Sequence, residues 1–149
     1  GHKLDDVIDS LNKRKSDFNK YIKIQKNHAD LIFSVQAIKL NDSFEDEIKT
    51  RLFAISREDF DATLLNRILV GVMGLHVETS INNENSETSI SIEGDITAKD
   101  IAISVDLICP EIVEFLDISP EWEPGVRGLM QLITLTHINH QLTKRFLNK

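Results

Sequence analysis

The C-terminal stretch Gly125–Lys149, GVRGLMQLITLTHINHQLTKRFLNK, constrains the fold more than any other part of the chain. After Pro124 and Gly125 only Gly128 interrupts its pattern, close to the expected helix start. At about 100° per residue, Val126, Leu129, Met130, Leu132 and Ile133 share one broad face. Leu135, Ile138, Leu142 and Phe146 fall roughly opposite, and Thr134, Gln141 and Arg145 form a narrow polar strip. A helix apolar on two sides is expected between neighbours rather than on a surface. Lys144, Arg145 and Lys149 stand where positive charge suits the C-terminal end of the helix dipole. This stretch is read as the spine of the core.

A chain of 149 residues is the usual size of one domain and long enough to bury a core. No apolar run approaches the roughly 18–20 residues that cross a bilayer, and no signal peptide is visible, so no membrane association is expected. Gly1-His2 reads as an expression scar. Cys109 is the only cysteine, which excludes an intrachain disulfide and a cysteine-based metal site; in LICPEIV it reads as a small core residue. These features together suggest a cytoplasmic protein.

The net charge of −7 is uneven. Residues 1–39 hold eight Lys/Arg against five Asp/Glu, whereas 82–123 hold eleven acids opposed only by Lys99. The acidic stretch repels phosphate backbones and disfavours nucleic acid there. It suits a basic protein partner, or the basic N-terminal helix of a second copy in a homodimer.

From Lys3 to about Leu40 there is no Gly or Pro. Leu4, Ile8, Leu11, Phe18, Ile22, Ala29 and Ile32 follow a three-four spacing, interrupted at Lys15 and Gln25, and this imperfect heptad stripe predicts one long amphipathic helix, although LIFSVQAIKL at its end is branched enough to admit a strand. Its middle is basic, with Lys13, Arg14, Lys15, Lys20, Lys23 and Lys26 around Phe18 and Tyr21. Ser43 with Asp46 and Glu47 predicts an N-cap, and Phe44, Ile48, Leu52 and Ile55 a short helix. Ser56 with Asp59 predicts the start of another, carrying Phe60, Leu64, Ile68, Val72 and Leu75. Residues 75–96 then alternate, with Leu75, Val77, Thr79 and Ile81 before a polar loop and Thr88, Ile90 and Ile92 after it; this pattern predicts a β-hairpin.

Thr97 and Asp100 form the sequence signature of a capping box. The segment TAKDIAISVDLICPEIVEFL resembles a helix-turn-helix motif through Ala102, Val105, Leu107, Ile112 and Phe115, with Pro110 at the start of the second helix. It departs from that pattern at Asp106, where glycine is usual. The would-be recognition helix also carries Glu111, Glu114 and Asp117 without any Lys or Arg. Carboxylates there would repel DNA, so a corner used for packing or protein contact fits better.

Two groups of residues hint at function. His137 and His140 lie three apart on one helix face, and with a carboxylate ligand they could hold a metal ion, although the HExxH spacing is absent and they continue the stripe of Val126, Met130 and Ile133. Trp122, the only tryptophan, sits between Glu121 and Glu123 and, with Glu114, offers an aromatic anchor in an acidic rim. No GxSxG elbow, GxxxxGK[ST] phosphate loop or GxGxxG turn is present, and no organic cofactor is indicated.

The expectation is therefore a mainly α domain, α+β through one hairpin. A helix over 3–40 would lead into a helical core over 41–149 that contains the hairpin near 75–96. Function would be that of a non-enzymatic, self-associating interaction or regulatory domain. A metal-dependent enzyme using His137 and His140 stands as the alternative, and a DNA-associated regulator as the third reading.

Overall fold

The computed structural model describes residues 4–38, 49–57, 61–84, 86–110, 116 and 120–147. Helix α1 (Leu4–Asp17) runs on through a π-helical turn (Phe18–Ile22), a short α2 (Lys23–Gln25) and a 3-10 turn (Lys26–His28). Strands β1 (Leu31–Ile38) and β2 (Lys49–Ser56) follow, then α3 (Ala62–Gly71), β3 (His76–Asn82), β4 (Glu87–Glu93), α4 (Ala98–Ile108) and α5 (Gly125–Leu147).

The four strands form one antiparallel sheet in the order β1-β2-β4-β3. The mainly helical expectation is thereby corrected to an α+β fold built on a four-stranded sheet. Two segments account for the error. Residues 31–38 leave the long N-terminal helix and become β1, so the helical run ends at His28 rather than near Leu40. Leu52 and Ile55, read as part of a helical stripe, belong to β2; Ser43–Glu47 lie outside the described residues.

The physical reason is visible in β2 itself. Leu52, Ala54 and Ser56 are buried and alternate with half-buried Arg51, Phe53 and Ile55, which is the period of a strand with one covered face. Their partners on β4 are Ile92, Ile90 and Thr88, also buried. Every buried side chain of the two central strands thus faces the same way. Helix α5 lies against β1 and β2, α3 against β3, and α4 touches both α3 and α5. Leu52, Ile92, Leu65, Leu69, Ile101, Val105, Leu129, Leu132 and Ile133 meet in that layer as the core. On the other face, Arg51 pairs with Glu93 and Arg57 with Glu87 at the two ends of the β2–β4 ladder.

The predicted hairpin is present. Its loop is tightened by Asn82, whose Oδ1 accepts from the Glu84 amide at 3.0 Å, and Ser86 takes a positive φ of 52°. The capping box is also present: the Asp100 amide donates to Thr97 Oγ1 at 3.2 Å, and the Thr97 amide donates to Asp100 Oδ2 at 3.1 Å. The Thr97 hydroxyl, which donates to Asp100 Oδ2 at 2.7 Å, and then the Thr97 amide hold the Asp100 carboxyl below its ordinary value of 3.8. Helix α3 starts later than expected, with Asp61 rather than Ser56 as its N-cap, accepting from the Leu64 amide at 3.1 Å.

The α1-to-His28 run differs from everything else. Its described side chains are exposed, and among the described residues it makes no substantial packing contact with the sheet or with α3, α4 or α5. It is an arm.

Candidate functional site

The C-terminal helix packs against the core, but neither of its two apolar faces is fully covered: Val126 and Met130 on the first are only half-buried. Leu129, Leu132 and Ile133 are buried, while Ile138 and Leu142 are exposed. Ile138, Leu135, Met130, Thr134 and Gln131 line a groove with Trp122 and with Phe33 of β1. The groove is open, almost wholly apolar and about 390 Å³ in volume.

Two local features place Trp122 there. Gln131 holds the backbone on both sides of it: Oε1 accepts from the Glu123 amide at 2.9 Å, and Nε2 donates to the Glu121 carbonyl at 3.1 Å. Gly128 lets the same segment run close to α5, because a Cβ at that position would stand 1.9 Å from the Glu123 carbonyl oxygen. The Gly125 amide then donates to the Ile96 carbonyl at 2.8 Å and ties the helix start to the core. Glu121 and Glu123 on either side of Trp122 are exposed, and Arg127 Nη1 approaches Glu123 Oε2 at 3.8 Å. Of the four residues expected at a partner surface, Trp122 lines the groove, and Glu121 and Glu123 are its exposed chain neighbours. Glu114 lies outside the described residues.

His137 and His140 are half-buried on α5. His137 Nδ1 stands 3.3 Å from Ser56 Oγ, at the end of β2. The buried Nε2 of His140 has no hydrogen-bond partner among the described residues. Among these residues no group of three His, Cys, Asp or Glu converges as a metal would need, so the His pair gains no third ligand there. Sequence reasoning missed Ser56, whose position before Asp59 imitates a helix cap, and it missed Gln131 and Phe33, which carry no local mark of their role. Cys109 is buried, as expected, and burial pushes its thiol up to about 11, leaving it inert at neutral pH.

The arm places six cations on an exposed helix: Lys13, Arg14, Lys15, Lys20, Lys23 and Lys26. Between them Phe18, Tyr21, Ile22 and Ile24 are each more than half exposed, and Lys20 Nζ lies 5.0 Å from the centre of the Tyr21 ring. The helix-turn-helix resemblance gains little: α4 is its first helix, while residues 111–115, where the second would start, lie outside the described residues. No helix is long and apolar enough among the described residues to cross a membrane.

Residues 1–41 match the model of the phosphoribulokinase / uridine kinase family, a stretch that coincides with the arm and β1. No curated protein and no solved structure gives a significant match. The similarity overturns the expectation of a non-enzymatic interaction or regulatory domain, because the arm and β1 resemble part of a kinase family. The matched residues contain no GxxxxGK[ST] sequence, and Gly1 is their only glycine.

Proposed function

We propose that this chain serves phosphoryl transfer of the kind named in that family's description, to a hydroxyl of a phosphorylated ribulose or of uridine. The observation that carries the reading is the family match over residues 1–41, which falls on the most basic and most exposed element of the molecule. Kinase catalysis is largely a matter of holding phosphates in place and neutralising their charge. Lys13, Arg14 and Lys15 stand in succession at the end of α1, all exposed. Arginine engages a phosphate bidentately and lysine as a point charge, so this triplet is suited to grip a phosphate of donor or acceptor. With no phosphate loop in these residues, the arm's role is engagement of the anionic group rather than cradling of the transferred phosphoryl.

The test is turnover with ATP and Mg²⁺, offering uridine and ribulose 5-phosphate as separate acceptors and following product by ³¹P NMR. Phosphorylated product from one acceptor is expected, with kcat/KM lowered about tenfold or more in an Arg14→Ala, Lys15→Ala variant. ATP binding should also weaken with added salt. No product from either acceptor, together with no salt-sensitive ATP binding, would sink the reading.

A further inference from the structure

We infer that the arm of one copy of this chain seats in the Trp122 groove of a second copy, giving a symmetric dimer by exchange of arms. This is independent of the phosphoryl-transfer reading, since it concerns the second half of the arm and is read out by mass.

The two surfaces complement each other in chemistry. The groove is lined by Phe33, Trp122, Met130, Leu135 and Ile138, and the two residues that flank Trp122 in the chain, Glu121 and Glu123, are exposed carboxylates. On the arm, Phe18, Tyr21 and Ile22 are each more than half exposed within the π-helical turn, with Lys20, Lys23 and Lys26 around them. Apolar side chains would enter an apolar groove while cations meet the two carboxylates, the arrangement of an anchored interface with a charged border. Nothing among the described residues of the same copy covers either surface substantially.

The occupant is a second copy because the connection between the chain's own arm and the groove is short. Phe33, part of the groove, lies only five residues after His28, the last residue of the arm. The backbone turns extended at Ala29, with φ −84° and ψ 131°, and the Arg57 amide donates to the Asp30 carbonyl at 2.9 Å, fixing the approach to β1. Only Ala29 and Asp30 separate the arm from β1, so the arm of the same copy has two linker residues in which to turn back toward Phe33. A neighbour's arm meets no such constraint. Two arms and two grooves close under a twofold axis, the usual outcome of exchanging identical elements.

Sedimentation equilibrium of the full chain tests this, with helical content checked by circular dichroism. Twice the chain mass is expected at micromolar concentration. A Phe18→Asp, Tyr21→Asp variant should weaken the dimer at least about tenfold, as should Ile138→Asp in the groove. These side chains are exposed, so the fold itself should survive. Glu121→Lys with Glu123→Lys should also weaken it, and Lys20→Glu with Lys23→Glu added on the same chain should restore it. In a Cys109→Ala background, Tyr21→Cys with Ile138→Cys should form a disulfide between copies. A monomer up to roughly 100 µM would overturn the inference. So would a dimer indifferent to both the arm and the groove variants, or a disulfide formed within one copy.

Discussion

The arm and α5 are the two longest helical stretches of the chain, and both carry apolar residues at three-four spacing, yet their surroundings differ completely. Leu132 of α5 is 0% exposed, whereas Ile24 of the arm is 56% exposed. Spacing alone therefore does not bury a side chain; a facing surface does. α5 finds that surface in β1, β2 and α4. The arm has none among the described residues of its own copy, and helices in proteins draw most of their stability from packing of an amphipathic face. Its regularity suffers accordingly, passing through π and 3-10 turns before β1.

The sharpest way to break this contrast is a matched pair of truncations followed by urea unfolding at low protein concentration. Leu132→Ala should cost about 2–5 kcal/mol, through lost transfer energy and the cavity left behind. Ile24→Ala should stay within about 0.5 kcal/mol. Equal losses at the two sites would mean that the arm is packed after all.

Gly128→Ala asks whether the Trp122 segment truly presses on α5. Helix propensity favours Ala by about 1 kcal/mol, but the new methyl would collide with the Glu123 carbonyl and meet Ile101 Cγ1 at 2.8 Å. A net loss of about 1–3 kcal/mol is expected, with altered Trp122 fluorescence. A gain in stability would show that the segment stands clear of the helix.

Thr97→Ala removes the cap of α4 and should cost about 1 kcal/mol. The capping bonds also hold the Asp100 carboxyl below its ordinary value. A group depressed in the folded state stabilises it fully above its unfolded pKa and loses that contribution as pH falls through the folded one. Thermal melts should show a shallower acid-side decline in Asp100→Asn than in the parent; an unchanged acid slope would remove Asp100 from the pH dependence.

The smallest effect concerns Cys109, 2% exposed and with its thiol raised to about 11. A thiol reagent at pH 8 should label it at least about tenfold more slowly in the folded chain than in urea. Equal rates would place α4's C-terminus in an open state.

Much of this was legible before the fold was known, and the legible parts share a property. The C-terminal helix, the hairpin over His76–Asn82 and Glu87–Glu93, and the Thr97–Asp100 box are set by residues close together in sequence. Strand β1 follows a helix with no Gly or Pro to mark the change, and β2 carries Leu52 and Ile55 at a spacing that a helix would share. Their true partner is each other: Leu31 faces Ser56 and Ile38 faces Lys49 across the ladder. The candidate site was half legible. Trp122 between two glutamates pointed to a rim, but Phe33, Gln131 and the Ser56–His137 contact come from segments far apart in the chain.

The sequence by itself determined the Thr97–Asp100 cap, the alternation of the hairpin and the apolar stripe of α5, because each depends on short-range sterics and hydrogen bonds. Only the tertiary structure decided that β1 and β2 are strands, that one sheet face is covered, and that the arm is left bare. Those outcomes depend on which distant surfaces meet, and a local period is blind to that.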